Sequence, residues 1–353
     1  MAGQQHQNQS QSFKNTVVEP VPTHVVGLSP DFTDPLWRIS VRLHPVEIDL
    51  LRTEPLRRLH FIAHGGASTI STLQSYSRLE HTLGVFALVA HFRPADELLR
   101  SAALLHDIGH LPLSHTAEGI AGLDHHTIGE QLPRADPIRS VLEKHGIRSE
   151  SVVAALGRQP ASPLTNRSGL LNLDHLDSYV RSGRAAGRLD ADPAELLGRL
   201  GIVDAAVSAA DRETAASLVG LVRAEARLHI SWDNVGPVSV VRRLVGRLLD
   251  RSPLTSAELA RMTDAQLWSA LESCTDTRAE SDMIRYEPHR LQVRATMGEG
   301  ERGRVSGWDF SLRKIYGSAP LLEGERLEVA APELAAELAA LQSLPLTFRV
   351  WWG

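Results

Sequence analysis

The sequence predicts a mainly α fold: a large helical core followed by a small α+β appendage toward the C-terminal end. Apolar residues recur at three- and four-residue spacing through most of 45–273. Gly and Pro punctuate those runs at helix-length intervals. Only beyond about residue 280 does the pattern turn to strict alternation, at 290–295 and 346–351. At 353 residues the chain can bury a substantial core, in one large or two small domains. The expected divisions are 1–35, a flexible tail and lead-in; 36–250, the helical core; and 251–353, a helical and mixed α+β region.

Residues 1–14 are rich in Gln and Ser, and Pro20, Pro22, Pro30 and Pro35 discourage helix in the lead-in. Short helices are expected around 46–51 and 55–62, ended by Gly65-Gly66, and a loop rich in Ser and Thr leads to Arg78. The 80–92 segment is so densely apolar that it reads as a buried helix, closed by Pro94. The next helix covers 96–106 and stops near Gly109 and Pro112. Helices are expected at 125–132, at 138–157 as a pair broken at Gly146, and at 170–180, with a Pro-containing loop at 159–169. Helical spacing continues through 194–203, 208–229, 238–250 and 256–273. A short helix at 332–341 fits within the appendage.

Charge and composition narrow the function classes. Lys and Arg number 37 against 42 Asp and Glu, a formal charge of −5, with no sustained basic block. A surface that tracks a nucleic-acid backbone needs clustered Lys and Arg, so no nucleic-acid partner is expected. Cys274 is the single cysteine, which excludes an internal disulfide and a cysteine-rich zinc site. No run approaches the roughly 18 apolar residues that span a bilayer. The expected location is the cytoplasm, with no membrane partner.

Chemistry concentrates in three segments. His106 and Asp107 end an apolar run, His81 lies in Ser77-Arg78-Leu79-Glu80-His81-Thr82, and Asp174 lies in Asn172-Leu173-Asp174-His175-Leu176-Asp177. Two imidazoles and two carboxylates would make one mononuclear metal site. The mixed N/O donor set suits Mn, Fe, Co, Ni or Zn and leaves Mg open. Consecutive helix residues point about 100° apart, so His106 and Asp107 can face one ion only at a helix end, where Gly109 and Pro112 place them. Glu80 and Asp177 are the candidates to orient a ligand ring. The rival reading is a histidine–carboxylate pair that caps a core helix without any ion, and the pattern alone leaves both standing.

Three blocks carry a resemblance: Ser77-Arg78-Leu79-Glu80-His81-Thr82-Leu83-Gly84-Val85, Leu104-Leu105-His106-Asp107-Ile108-Gly109-His110-Leu111-Pro112-Leu113-Ser114-His115, and Leu173-Asp174-His175-Leu176-Asp177-Ser178-Tyr179. In order and spacing they resemble the HD superfamily of metal-dependent phosphohydrolases, most closely its deoxynucleoside triphosphate triphosphohydrolases. The match spans about 45–250, with a weaker echo at Arg313-Lys314-Ile315-Tyr316. It implies an HD-domain helical core that forms the catalytic domain. His81, His106, Asp107 and Asp174 are the implied ligands of one divalent transition-metal ion. Asp107, His115 and His125 are the implied catalytic residues, with His115 acting on the leaving group. Arg78 corresponds to a phosphate-contacting arginine, and His64, His110, His175, Asp177 and Tyr179 are further candidates on the substrate side.

The chain departs from the family pattern in several places. His64 stands where glutamine is common, His126 where glutamate usually follows the second active-site histidine, and His175 where one group has lysine. Ser178 stands where a sugar-facing tyrosine is found, with Tyr179 adjacent, and Ser182 where a sugar-binding aspartate can occur. These changes touch substrate recognition more than metal binding. The implied activity is hydrolysis of a (deoxy)nucleoside triphosphate at the α-phosphorus, to nucleoside and triphosphate, by a homo-oligomer. The alternatives are a nucleotide monophosphatase or other small-phosphoester hydrolase, and a catalytically weak nucleotide-binding regulatory protein.

Overall fold

The computed structural model describes residues 19–157, 161–166, 169–296 and 306–353; the tail expected before residue 19 lies outside them, as do parts of the 159–169 loop. Helix α1, Arg78–Phe92, is buried at every position from Arg78 to Ala90 except Glu80. A helix apolar on all sides has to sit inside the molecule. Its start is fixed by a capping box: Ser77 Oγ accepts the Glu80 N–H at 3.2 Å, and Glu80 Oε2 accepts the Ser77 N–H at 3.1 Å. Glu80 is therefore a cap and not the ligand-orienting carboxylate.

Helix α2, Glu97–Leu105, is capped by Asp96, whose Oδ1 accepts the Leu99 N–H at 2.9 Å. It ends so that His106 is the C-cap and Asp107 lies beyond it, freeing the two side chains from helical spacing. Helix α3, Leu173–Ala185, starts at Asn172 and crosses α1 at Gly84. A Cβ on Gly84 would stand 2.1 Å from Asp177 Oδ1 and 2.3 Å from Arg181 Nη2, so only glycine admits this approach.

The fold is mainly helical with a small mixed appendage, and the broken pair appears as Ile138–Lys144 and Ser149–Leu156 around a left-handed Gly146. Two helix expectations need correction. Helix Pro193–Leu197 is short, and Leu200–Val203 pairs antiparallel with Ala206–Ala209 where helix was expected. The turn between them uses Asp204 and Ala205 at φ 46° and 65°. Helix α4, Arg212–His229, begins only after this hairpin, capped by Asp211. Ile202, Val203 and Val207 are β-branched, and in so short a window three-residue spacing mimics alternation. Leu321–Leu322 adds to the hairpin in parallel, followed by Glu325–Arg326. The lead-in also holds a strand pair, Asp31–Thr33 with Ser40–Arg42.

Two apolar cores result. The first gathers Trp37, Phe86, Leu104, Val180 and Leu218, and is closed by the returning chain at Leu322, Leu334 and Leu338. The second is built on helix α5, Trp232–Arg251, which starts earlier than expected and carries Pro237 within it. Helices Asp264–Ser273 and Arg278–Tyr286 join it. So does an antiparallel sheet with Thr347–Trp352 between Leu291–Ala295 and Trp308–Ser311. Leu111, Leu113, Ala117 and Leu123 belong to this second core, so the segment after Asp107 runs along the seam between the two. No described helix is long and apolar enough to cross a membrane.

Candidate metal centre

His81 projects from the first turn of α1 and is wholly buried. Its Nδ1 donates to Asp177 Oδ2 at 2.8 Å, which leaves Nε2 at 3.1 Å from Asp174 Oδ1 and 3.4 Å from His106 Nε2. His106 Nδ1 donates to the Ala103 carbonyl at 2.7 Å and turns its Nε2 to the same point, 3.8 Å from Asp174 Oδ1. Groups bound to one ion at about 2.1 Å stand roughly 3–3.4 Å apart, a range that the two His81 separations meet and the His106–Asp174 separation exceeds by a few tenths of an ångström, so the trio needs only a small closure around a shared cation. Asp107 stands at comparable separations, Oδ2 3.7 Å from His81 Nε2 and Oδ1 3.6 Å from His106 Nε2. Each histidine has the oriented partner that fixes a ligand's tautomer.

A buried charge chain backs His81. Asp177 also accepts from Trp37 Nε1 at 2.7 Å and from Arg181 Nε and Nη2 at 3.0 Å each, and Arg181 reaches Asp34 at 3.2 Å. Burial alone would raise the Asp177 pKa, but Arg181 and His81 hold it down to about 2. Burial likewise disfavours charge on His81, yet Asp174 and Asp177 raise its pKa to about 9. A proton and a metal ion therefore compete for Nε2. Burial would also raise Asp107, but His106, His110 and Arg78 hold it well below the usual carboxylate range.

Arg78 is buried and gives Nη1 to Asp107 Oδ2 at 2.9 Å, Nε to Ser114 Oγ at 2.9 Å, and Nη2 to the His64 carbonyl at 3.3 Å. Two of its five N–H groups remain for another acceptor. His110 Nε2 lies 3.0 Å from Asp107 Oδ1, and its ring stacks on His125 at 4.3 Å. His115 meets both rings edge-on, at 4.7 and 4.9 Å. His125 is oriented by Glu118, whose Oε2 is 2.7 Å from Nδ1. Gly109 makes this second cluster possible, since a Cβ there would stand 2.2 Å from the His125 carbonyl. On the opposite flank His64 packs between Tyr76, at 4.9 Å, and His81, at 4.6 Å. His175 contacts Ser318 Oγ at 2.8 Å and lies 5.8 Å from both Tyr179 and Tyr316, which brings Tyr316 of the 313–316 echo beside His175.

Residues 78–200 match the HD domain family. The chain is 26% identical over 274 residues to a metal-dependent phosphohydrolase, cns2, of Cordyceps militaris, across 72% of this chain and 76% of that protein. It is 28% identical over 151 residues to the human deoxynucleoside triphosphate triphosphohydrolase SAMHD1, across 35% of this chain but only 24% of that one. Among solved structures, a phosphohydrolase of Bacteroides thetaiotaomicron superposes with TM-score 0.67 at 16% identity, covering 91% of this chain and 99% of its own. A hypothetical protein of Aquifex aeolicus gives 0.68 at 19% identity, covering 91% and 96%. The fold is that of an HD-superfamily metal-dependent phosphohydrolase.

Several features of this HD-type fold have no local signature. Trp37 and Asp34 act 140 or more residues from their partners on α3. A polar chain runs from Gln74 through Ser182 on α3 to Glu225 on α4, each link at 2.5 Å. Asp177, a candidate both for orienting a ligand ring and for the substrate side, lies behind His81 with both oxygens engaged and no exposed surface. It holds the His81 ring rather than substrate. Asp177→Asn should therefore weaken metal affinity about 10–100-fold while leaving the four candidate ligands in place. Metal titration of the variant checks this, and wild-type affinity would separate Asp177 from the ion.

Proposed function

We propose that the chain is a metal-dependent nucleotide phosphohydrolase that cleaves a (deoxy)nucleoside triphosphate at the α-phosphorus, giving nucleoside and triphosphate. The convergence of His81, His106 and Asp174, with Asp107 beside a three-histidine cluster, carries the reading. His81, His106, Asp107 and Asp174 would hold one divalent ion, one of Mn, Fe, Co, Ni and Zn, with Mg as an option. Such an ion lowers the pKa of a water molecule and polarises a phosphoryl oxygen when bound. Asp107 orients the attacking water, and Arg78 has N–H groups left for a phosphate oxygen. His115 donates a proton to the departing oxygen, with His125 held beside it by Glu118. His64, His110, His175 and Tyr179 flank the substrate. The same reading takes 36–250 as the catalytic domain of a cytoplasmic homo-oligomer.

A second reading, a nucleotide monophosphatase or other small-phosphoester hydrolase, is favoured by the tie of Ser182 to Gln74 and Glu225. The longer fungal alignment, to a protein described only as a metal-dependent phosphohydrolase, supports it too. Product analysis separates the two. The purified chain is loaded with each metal in turn and offered mixed nucleotides, and every phosphorus-containing product is identified. Tripolyphosphate is the expected product; orthophosphate from monophosphates would replace the first reading with the second. Tight nucleotide binding without product under every metal would favour a regulatory role.

A further inference from the structure

The segment carrying His115 is held in an unfavourable shape by a residue far along the chain. Leu113 and Ser114 are consecutive left-handed residues, φ 54° and 55°. Side-chain-bearing residues keep such angles only where the surroundings enforce them. Here Asp264 Oδ1 accepts the Leu113 N–H at 2.6 Å, and its Oδ2 accepts the Ala63 N–H at 2.7 Å. The ring of contacts closes because Ser114 Oγ donates to the Ala63 carbonyl at 2.6 Å and accepts from Arg78 Nε at 2.9 Å. One carboxylate thus sets the separation of the two segments that lead into His64 and His115.

Helix capping does not explain Asp264. The helix it opens is already capped by Thr263 and Gln266, in a complete capping box, so the Asp264 carboxylate is directed elsewhere. The turn before it is anchored to the same segment. Buried Arg58 binds the carbonyls of Ala260, Arg261 and Met262 and gives its remaining contact, 2.8 Å, to the carbonyl of His110.

We propose that Asp264 is a positioning residue for catalysis, holding His115 at the leaving-group side of the candidate metal centre. This rests on the reading of the chain as a phosphoester hydrolase in which His115 acts on the departing oxygen. The test compares Asp264→Asn with the wild type in the full metal-loaded chain. Asparagine is isosteric but sets an N–H2 against one of the two backbone donors. Two probes are used: dGTP, whose departing nucleoside oxygen needs a proton, and bis(p-nitrophenyl) phosphate, whose p-nitrophenolate departs without one.

Asp264→Asn is expected to keep its metal and its KM, and to lose about 100-fold in kcat on dGTP, the scale of a misplacement near 1 Å. On bis(p-nitrophenyl) phosphate the loss should stay within about threefold, and His115→Ala should show the same selectivity. Equal losses on both probes, no loss, or loss of metal would make Asp264 a structural contact only and overturn the proposal. If Asp264→Asn does not fold, Asp264→Glu keeps charge and acceptors but alters reach, and the same selective loss is required of it. Failure of selectivity in His115→Ala would instead overturn the role of His115, and wild-type turnover in His106→Ala would overturn the metal centre itself.

Discussion

His106→Ala is expected to remove bound metal and turnover together while the helical core stays folded. Its Nε2 is one of three ligand atoms that converge within the candidate centre, and its Nδ1 contact to the Ala103 carbonyl serves only to aim it. The residue follows the last turn of α2, whose packing rests on Leu99, Leu104 and Leu105, so its loss removes a donor without a core side chain. The ion's contribution to a phosphoryl transition state is several kcal/mol, so kcat should fall by at least about 10³-fold. Elemental analysis should fall from one ion per chain to near none, with circular dichroism unchanged. Unchanged occupancy would defeat the ligand assignment. Asp107→Ala should have the same effect on metal and turnover but is less clean. It strands the buried Arg78 guanidinium, and breaking a buried pair costs about 3–5 kcal/mol of stability.

The mainly helical architecture is readable in the sequence because α1 and α2 satisfy several signals at once. Their apolar periods, the Ser77–Glu80 cap and the breaks at Pro94 and Gly109 agree. The three site blocks are readable for a related reason: His81 and Asp174 each sit in the first turn of a helix and His106–Asp107 directly follow the end of an apolar one, where charged groups are conspicuous. Their partners are less legible. Glu80 and Asp177 both stand within a turn of a candidate ligand, and periodicity does not separate them. The capping box does, since Ser77 already claims Glu80. Trp37, Asp34 and Asp264 have no neighbourhood signal at all. Their contacts depend on the crossing of α1 and α3 at Gly84 and on the seam between the cores, neither of which a one-dimensional pattern contains. The 200–209 hairpin is hidden for the opposite reason, too short a window for its period to be distinctive.

His115→Ala should separate chemistry from metal binding. The ring lies in the second imidazole cluster, against His110 and His125, and takes no part in the trio of His81, His106 and Asp174. The variant should therefore keep its ion. Surrounding protein, then His110, Arg78 and His125, push the His115 pKa well below the usual imidazole value. Because the residue is exposed, burial counts for less here than the Arg78 charge. In the free protein it is then mostly neutral at pH 7, and an anionic phosphate beside it restores the proton that an acid must carry. With this proton donor gone, turnover of a substrate with a basic leaving oxygen should fall about 10²–10⁴-fold in His115→Ala. In the wild type, kcat/KM should decline as pH rises through this low pKa, and that limb should vanish from the variant's profile. Activity near the wild-type level, with the pH limb intact, would remove His115 from the proton-transfer step and leave Arg78 and the ion to stabilise the departing charge.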